Sequence, residues 1–205
     1  WAKVLRLNGD NAELFDQGLS AIERNARLQA RLIDDLLDMS RIISGKLHIE
    51  FETTDLCTLI EGAMETVRDE ARTRGVDLQV ELPDAPLMVR GSPVRLQQIV
   101  WNLLSNSIKF TDQGGQVKVR AHAQADHAEV EVSDTGIGIA PEFLPHIFEP
   151  FHQADGSTTR KYGGLGLGLA IVHKLVGLHG GRVEVTSPGL EQGARFTVTV
   201  PYGVG

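Results

Sequence analysis

The sequence predicts an α+β protein. A two-layer α/β sandwich, with a mixed sheet and helices on one face, runs from residue 46 to 205, and a helical segment precedes it over residues 1–45. Three observations predict this. Residues 11–44 hold a helical spacing of apolar side chains with no proline. From Leu47 onward, stretches alternating with period two exchange with stretches of period near 3.6. Two glycine-rich segments, SDTGIGIAPE (133–142) and YGGLGLGLAIV (162–172), then break the regular pattern in the C-terminal half.

The elements follow in order. WAKVLRL has helical spacing but no capping residue before it, and reads as the tail of a helix that starts upstream. In the long helix, Phe15, Leu19, Ile22, Ala26, Ile33, Leu36 and Ile43 recur at spacings of three and four, widened by Leu28, Leu32, Leu37 and Met39. So broad an apolar stripe needs partner helices. A helical-hairpin remnant pairing with a second copy in a dimeric four-helix bundle is the economical solution. After Ser44-Gly45-Lys46, the alternation of Leu47, Ile49 and Phe51 predicts a strand, and Asp55 caps a helix that Gly75 stops. Val76 to Leu82 reads as a strand and Met88 to Arg90 as a short one. Ser92-Pro93 is an N-cap with proline at the first helical position. Strands are expected near 116–124 and 128–133, a helix over 167–178, and two final strands ending at Pro201.

Composition narrows function. A net charge of −7 argues against a nucleic-acid surface, which needs a clustered basic face. Cys57 alone allows neither an internal disulfide nor a cysteine zinc cluster, and fits a reducing, cytoplasmic setting. No run approaches the ~20 apolar residues that span a bilayer, so direct membrane contact by this segment is not expected.

The chemistry begins in WNLLSNSIKFT (101–111). On a helix Asn102, Asn106 and Lys109 share one narrow arc, while Leu103, Leu104, Ser107 and Ile108 point elsewhere. Alone, that arc also reads as a solvated face. In SDTGIGIAPE, Asp134 closes a strand and Gly136 and Gly138 follow. The glycines fit either a tight turn or a close backbone approach to a flat ligand, with the carboxylate accepting from a donor such as an adenine amine. In YGGLGLGLAIV, glycine-rich backbone runs into a helix N-terminus, where free amides and the helix dipole favour an anion. Neither G-x-x-x-x-G-K-[ST] nor G-x-G-x-x-G is present. The segment between, with Thr158, Thr159, Arg160 and Lys161, reads as a surface loop or as a nucleotide lid.

NLLSNSIKFT, DTGIGI, FEPF and GGLGLGLAIV, in that order, resemble the N, G1, F and G2 boxes of sensor histidine kinases, and DLLDMSRIISGKL resembles the second helix of their dimerisation domain. The later segments are most similar to hybrid-type members. The resemblance implies a Bergerat-type ATP-binding fold over residues 46–205, a truncated dimerisation domain over 1–45, ATP and Mg²⁺ as cofactors, and a response-regulator receiver domain as partner. It implies that Asp134 holds the adenine amine beside Gly136 and Gly138. It implies that Asn106 coordinates magnesium and Lys109 steadies the phosphates, with Gly164, Leu165, Gly166, Leu167 and Gly168 lining the triphosphate. Related ATPases of this fold carry a glutamate where Asn102 stands, and an amide cannot take a proton at neutral pH, so transfer rather than hydrolysis is expected. Gln153 replaces an arginine frequent in relatives, which passes the γ-phosphate contact to Arg160 or Lys161. None of the seven histidines opens an H-E-x-x-T-P motif, so the chain holds no catalytic phosphoacceptor of its own. An ATP-driven conformational machine and a non-catalytic docking module are the alternatives.

Overall fold

The computed structural model describes residues 12–152 and 165–203. The expected helix tail before Gly9, the lid, Gln153, Arg160, Lys161 and Gly164 lie outside them. The chain divides into two compact units between Gly45 and Lys46.

The first unit contains α1, Ala12–Ile43, about 48 Å long at 1.5 Å per residue. It ends at Gly45, whose φ of 64° lies in the left-handed region that closes helices. Ala21 and Met39 are buried on it, whereas Phe15, Leu19, Ile22, Ile33, Leu36, Leu37 and Ile43 stay exposed.

In the second unit, β1 (Glu52–Asp55) pairs antiparallel with β3 (Met88–Gly91) as a separate two-stranded sheet. The strand expected over residues 47–51 does not form; the strand begins at Glu52. Its partner explains why. Glu52 lies opposite Gly91, and the next residues, Ser92 and Pro93, already turn into a helix, so Phe51 and those before it have no ladder to join.

The larger sheet has the order β2-β4-β5-β7-β6, with β2 Asp77–Glu81, β4 Gln116–Ala123, β5 His127–Asp134, β6 Arg182–Thr186 and β7 Ala194–Pro201. β2 and β4 run parallel and the other pairs antiparallel, so the sheet is mixed. Period-two alternation sends Val119, Val132 and Phe196 in one rung, and Ala121, Val130, Val198 and Val183 in another, to the same buried face. The opposite face carries solvated pairs such as Arg120–Glu81 and Arg195–Glu131, worth little individually.

Three helices, α2 (Leu56–Arg74), α3 (Pro93–Phe110) and α4 (Gly168–Leu178), pack with one another and onto the sheet. Asp55 caps α2: Oδ1 accepts from the amides of Cys57 at 3.1 Å and Leu87 at 2.9 Å, and Oδ2 from the Thr58 hydroxyl at 3.0 Å. Gly75 ends that helix at φ 68°. Helix α3 sits between α2 and α4 and is buried around most of its circumference: Leu96, Ile99, Val100, Leu103, Leu104 and Ile108 are all covered.

Ser92 occupies the N-cap of α3 but makes no side-chain capping bond. Its amide instead donates to Nε2 of His179 at 3.1 Å, and His179 Nδ1 donates to the Leu175 carbonyl at 2.8 Å. The buried ring thus pins the C-terminal end of α4 to the start of α3, with Phe51 packed on it at 5.3 Å. The bond from Ser92 needs the neutral ring, because Nε2 can accept only when it carries no proton. Burial pushes the His179 imidazolium down from its ordinary value of 6.5, only partly offset by the Leu175 carbonyl. A group held neutral in the fold but free to protonate when unfolded stabilises fully above pH 6.5, and that contribution fades as pH falls below it. In urea denaturation across pH 8 to 5, His179→Gln should flatten the acid-side loss of stability by up to about 1.4 kcal/mol per pH unit. Equal slopes for both proteins would show that the ring is not held neutral.

Candidate functional site

The sequence places two amides and an amine along one side of α3, and burial decides what that side is. Asn102 is 5% exposed, and Asn106 and Lys109 are half-buried, so the arc is not a solvated face. Burying an amide without a partner costs about 1–3 kcal/mol. Yet Asn102 Nδ2 has no hydrogen-bond partner among the described residues.

Opposite these amides lies the start of α4. A Cβ on Gly168 would stand 3.3 Å from Asn102 Oδ1 and 3.7 Å from Asn106 Nδ2, so backbone comes against both side chains. Leu167, buried beneath, makes no side-chain capping bond to the first turn, and Gly166 before it has φ 69°. The uncapped start of α4 is therefore set against Asn102 through its Oδ1 and Asn106 through its Nδ2. Gly166 also accepts from the Phe151 amide at 3.1 Å, tying the segment around Leu165 to the end of FEPF.

Lys109 ends α3 with Nζ 4.8 Å from the centroid of the Phe110 ring. Burial, and then repulsion from Arg74, push its ammonium below the ordinary lysine value, with Glu70 opposing. An ammonium stripped of water is ready to gain from an anion.

Asp134 closes β5. Its Oδ1 accepts from the amides of Gly136 at 3.0 Å and Ala194 at 3.2 Å, and its Oδ2 from the Ser107 hydroxyl at 3.0 Å. Burial raises its carboxyl pKa, and those three bonds pull it partly back. With roughly four lone-pair sites on a carboxylate, acceptor capacity remains on Oδ2.

Both glycines after Asp134 have packing reasons. A Cβ on Gly136 would fall 2.3 Å from the Phe110 carbonyl oxygen, where α3 ends and accepts from the Ile137 amide at 3.0 Å. Gly138, at φ 67°, would meet the Gly189 carbonyl at 2.0 Å. The C-terminal SPG and QGARFTV segments brace this loop: the Ser187 hydroxyl accepts from Ile139 and donates to Gly193, and Gly193 donates to Gly136.

Asn102, Asn106 and Gly168 are thus brought together, and Asp134 is joined to the same helix through Ser107. Sequence reading sent Ser107 away from the polar arc. The one available signal was a hydroxyl on an otherwise apolar helix face. Among the described residues no group of three or more His, Cys, Asp or Glu side chains is arranged to hold a metal, and no helix is long and apolar enough to cross a membrane.

Known proteins resemble this chain in sequence and fold. The family model described as "Histidine kinase-, DNA gyrase B-, and HSP90-like ATPase" matches residues 91–204. The "Hybrid signal transduction histidine kinase D" of Dictyostelium discoideum is 37% identical over 95% of this chain, which spans 15% of that protein's length. Among solved structures, a mycobacterial sensor histidine kinase, MprB, is 31% identical with a TM-score of 0.65, covering 74% of this chain and 97% of its own. Full-length ShkA in complex with AMPPNP is 30% identical with a TM-score of 0.77, covering 93% of this chain and 39% of that one.

Alanine substitution separates the two kinds of glycine. Gly136→Ala drives Cβ into backbone and should cost about 3 kcal/mol in chemical denaturation. Gly168→Ala meets only side-chain tips and gains helix propensity, so it should change stability by about 0.5 kcal/mol or less. Equal losses would mean that Gly168 too is fixed by packing.

Proposed function

The chain belongs to the histidine kinase-, DNA gyrase B- and HSP90-like ATPase family, and we propose that it is the catalytic ATP-binding part of a sensor histidine kinase. It binds Mg²⁺-ATP and passes the γ-phosphoryl group to a histidine outside this chain, from which a receiver-domain aspartate of a response regulator takes it. The observation that carries this reading is the uncapped start of α4, with Gly168 set against the side chains of Asn102 and Asn106. Free backbone amides at a helix N-terminus call for an anion, and a phosphate oxygen supplies one. ShkA, whose fold this chain shares, was solved with an ATP analogue bound.

Each residue then has a task. Asp134, already committed on three sides, accepts the exocyclic amine of adenine with the remaining capacity of Oδ2. The amides around Leu165, Gly166, Leu167 and Gly168 receive phosphate oxygens, together with Gly164, Arg160 and Lys161 from the segment outside the described residues. Lys109 contributes a desolvated positive charge. Asn106 offers a side-chain oxygen to Mg²⁺. The absence of a carboxylate or histidine cluster among the described residues fits an ion that keeps most of its waters and phosphate ligands. Bound there, Mg²⁺ would neutralise charge on the transferring phosphoryl group. Asn102 orients without accepting a proton, so water is not activated and the phosphoryl group waits for an imidazole.

The exposed apolar residues of α1, Phe15, Leu19, Ile22, Leu36 and Ile43 among them, support a second copy of the chain as the partner that covers this helix. No described helix is long and apolar enough to cross a membrane, and a cytoplasmic position belongs to the same reading.

Phosphotransfer is testable in trans. Radiolabelled Mg²⁺-ATP and this chain should place acid-labile phosphate on a longer version that includes the upstream helix and carries Asn106→Ala in its own site. Asn106→Ala in the donor chain should weaken nucleotide binding about 10–100-fold, measured by calorimetry. No label, with both proteins folded and associated, would count against phosphotransfer in trans.

A further inference from the structure

We propose that Ser107 is a specificity-determining positioning residue: its buried hydroxyl sets the Asp134 carboxylate for an adenine-type 6-amino group, so that base recognition is built into the same helix that carries Asn106. The inference rests on the adenine reading of Asp134 given above and deepens it.

The geometry is specific. Ser107 is 2% exposed and its Oγ donates to Asp134 Oδ2 at 3.0 Å. Asp134 Oδ1 is fully engaged by two backbone amides, from Gly136 and Ala194. Those amides fix one end of the carboxylate but leave its other oxygen to be placed, and within hydrogen-bond reach of Oδ2 the side chain given by the structure is Ser107. A donor there acts in two ways. It holds the rotamer, so the unused lone pair of Oδ2 points in one direction. It also stabilises the carboxylate as an anion that can only accept, against the burial that opposes ionisation. An accepting Oδ2 receives an amine and repels the carbonyl oxygen that a 6-oxopurine places there.

Ser107 is itself held. Its carbonyl accepts from the Thr111 hydroxyl at 2.7 Å in the last turn of α3. It adjoins Asn106 in sequence, so a shift of α3 moves the amide that faces Gly168 and the hydroxyl that sets Asp134 together. A buried alanine would satisfy packing at this position equally well, and the hydroxyl is what the arrangement adds.

The test compares nucleotides across one substitution. Ser107→Ala removes a single buried oxygen, and thermal melting without nucleotide reports whether the fold holds. Affinities for ATP, GTP and the triphosphate of purine riboside, which lacks the 6-amino group, are measured by calorimetry for wild type and variant. The expected result is that wild type prefers ATP over both others, and that Ser107→Ala weakens ATP about tenfold while purine riboside triphosphate changes little, so the preference narrows. Equal weakening of all three nucleotides would assign Ser107 a structural role only and overturn the proposal. A wild type that fails to distinguish ATP from the analogue would overturn the adenine reading itself, and this inference with it. Should Ser107→Ala lose its fold, Ser107→Cys, a weaker donor of similar size, must show an intermediate preference; a wild-type preference there would overturn it equally.

Discussion

Helix α3 is approached by backbone at two glycines, and the rest of the second unit is arranged around those approaches. At Gly168 the first turn of α4 comes against Asn102 and Asn106; at Gly136 the loop after β5 comes against the carbonyl of Phe110. A Cβ would strike backbone at Gly136, whereas at Gly168 it would meet only side-chain atoms, the nearest at 3.3 Å. One contact sets amides of a helix N-terminus beside two carboxamides, and the other sets Asp134 where α3 can reach it through Ser107. A third tie, His179 to Ser92, holds the opposite ends of α3 and α4. Two elements far apart in the chain, the loop after β5 and helix α4, are thereby fixed against one helix.

The electrostatic consequence is polarity along α3. At one end a carboxylate is engaged by three donors and retains acceptor capacity. Beside Gly168 lie an uncapped helix start and the carboxamides of Asn102 and Asn106, with Asn102 Nδ2 unpartnered among the described residues, while burial and Arg74 press on the ammonium of Lys109. Unsatisfied donors and an acceptor-only group do not complement one another in the empty fold. They complement a ligand that carries a donor on one part and anionic oxygens on another, and the unfavourable burial of Asn102 becomes favourable once an acceptor arrives.

How much of this was legible in the sequence depended on the range of the interaction. Caps and stops were readable because their cause is local: Asp55 before α2, Gly75 after it, and Pro93 at the first position of α3. The alternating strands of the large sheet were readable because one face is buried. The strand expected over 47–51 failed for a non-local reason, since its partner runs out at Gly91. Gly136 and Gly138 read either as turn glycines or as ligand-facing ones, and the packing demands on them come from Phe110 and Gly189, one before and one well after them in sequence. Ser107 was invisible for the same reason. Nothing local says that a serine on an apolar helix face will meet an aspartate 27 positions later. The polar arc of Asn102, Asn106 and Lys109 was seen at once, and burial is what separated it from an ordinary wet face.

In our proposal the start of α4 and the carboxamides of α3 form one phosphate-binding surface. Hydrogen–deuterium exchange of the backbone amides at residues 166–170, with and without saturating Mg²⁺-ATP, reads that surface, because the N-cap of α4 makes no side-chain capping bond to protect them. Nucleotide should slow their exchange strongly, well beyond any change in strand β6. Exchange at 166–170 that stays the same while ATP is bound would rule the shared surface out.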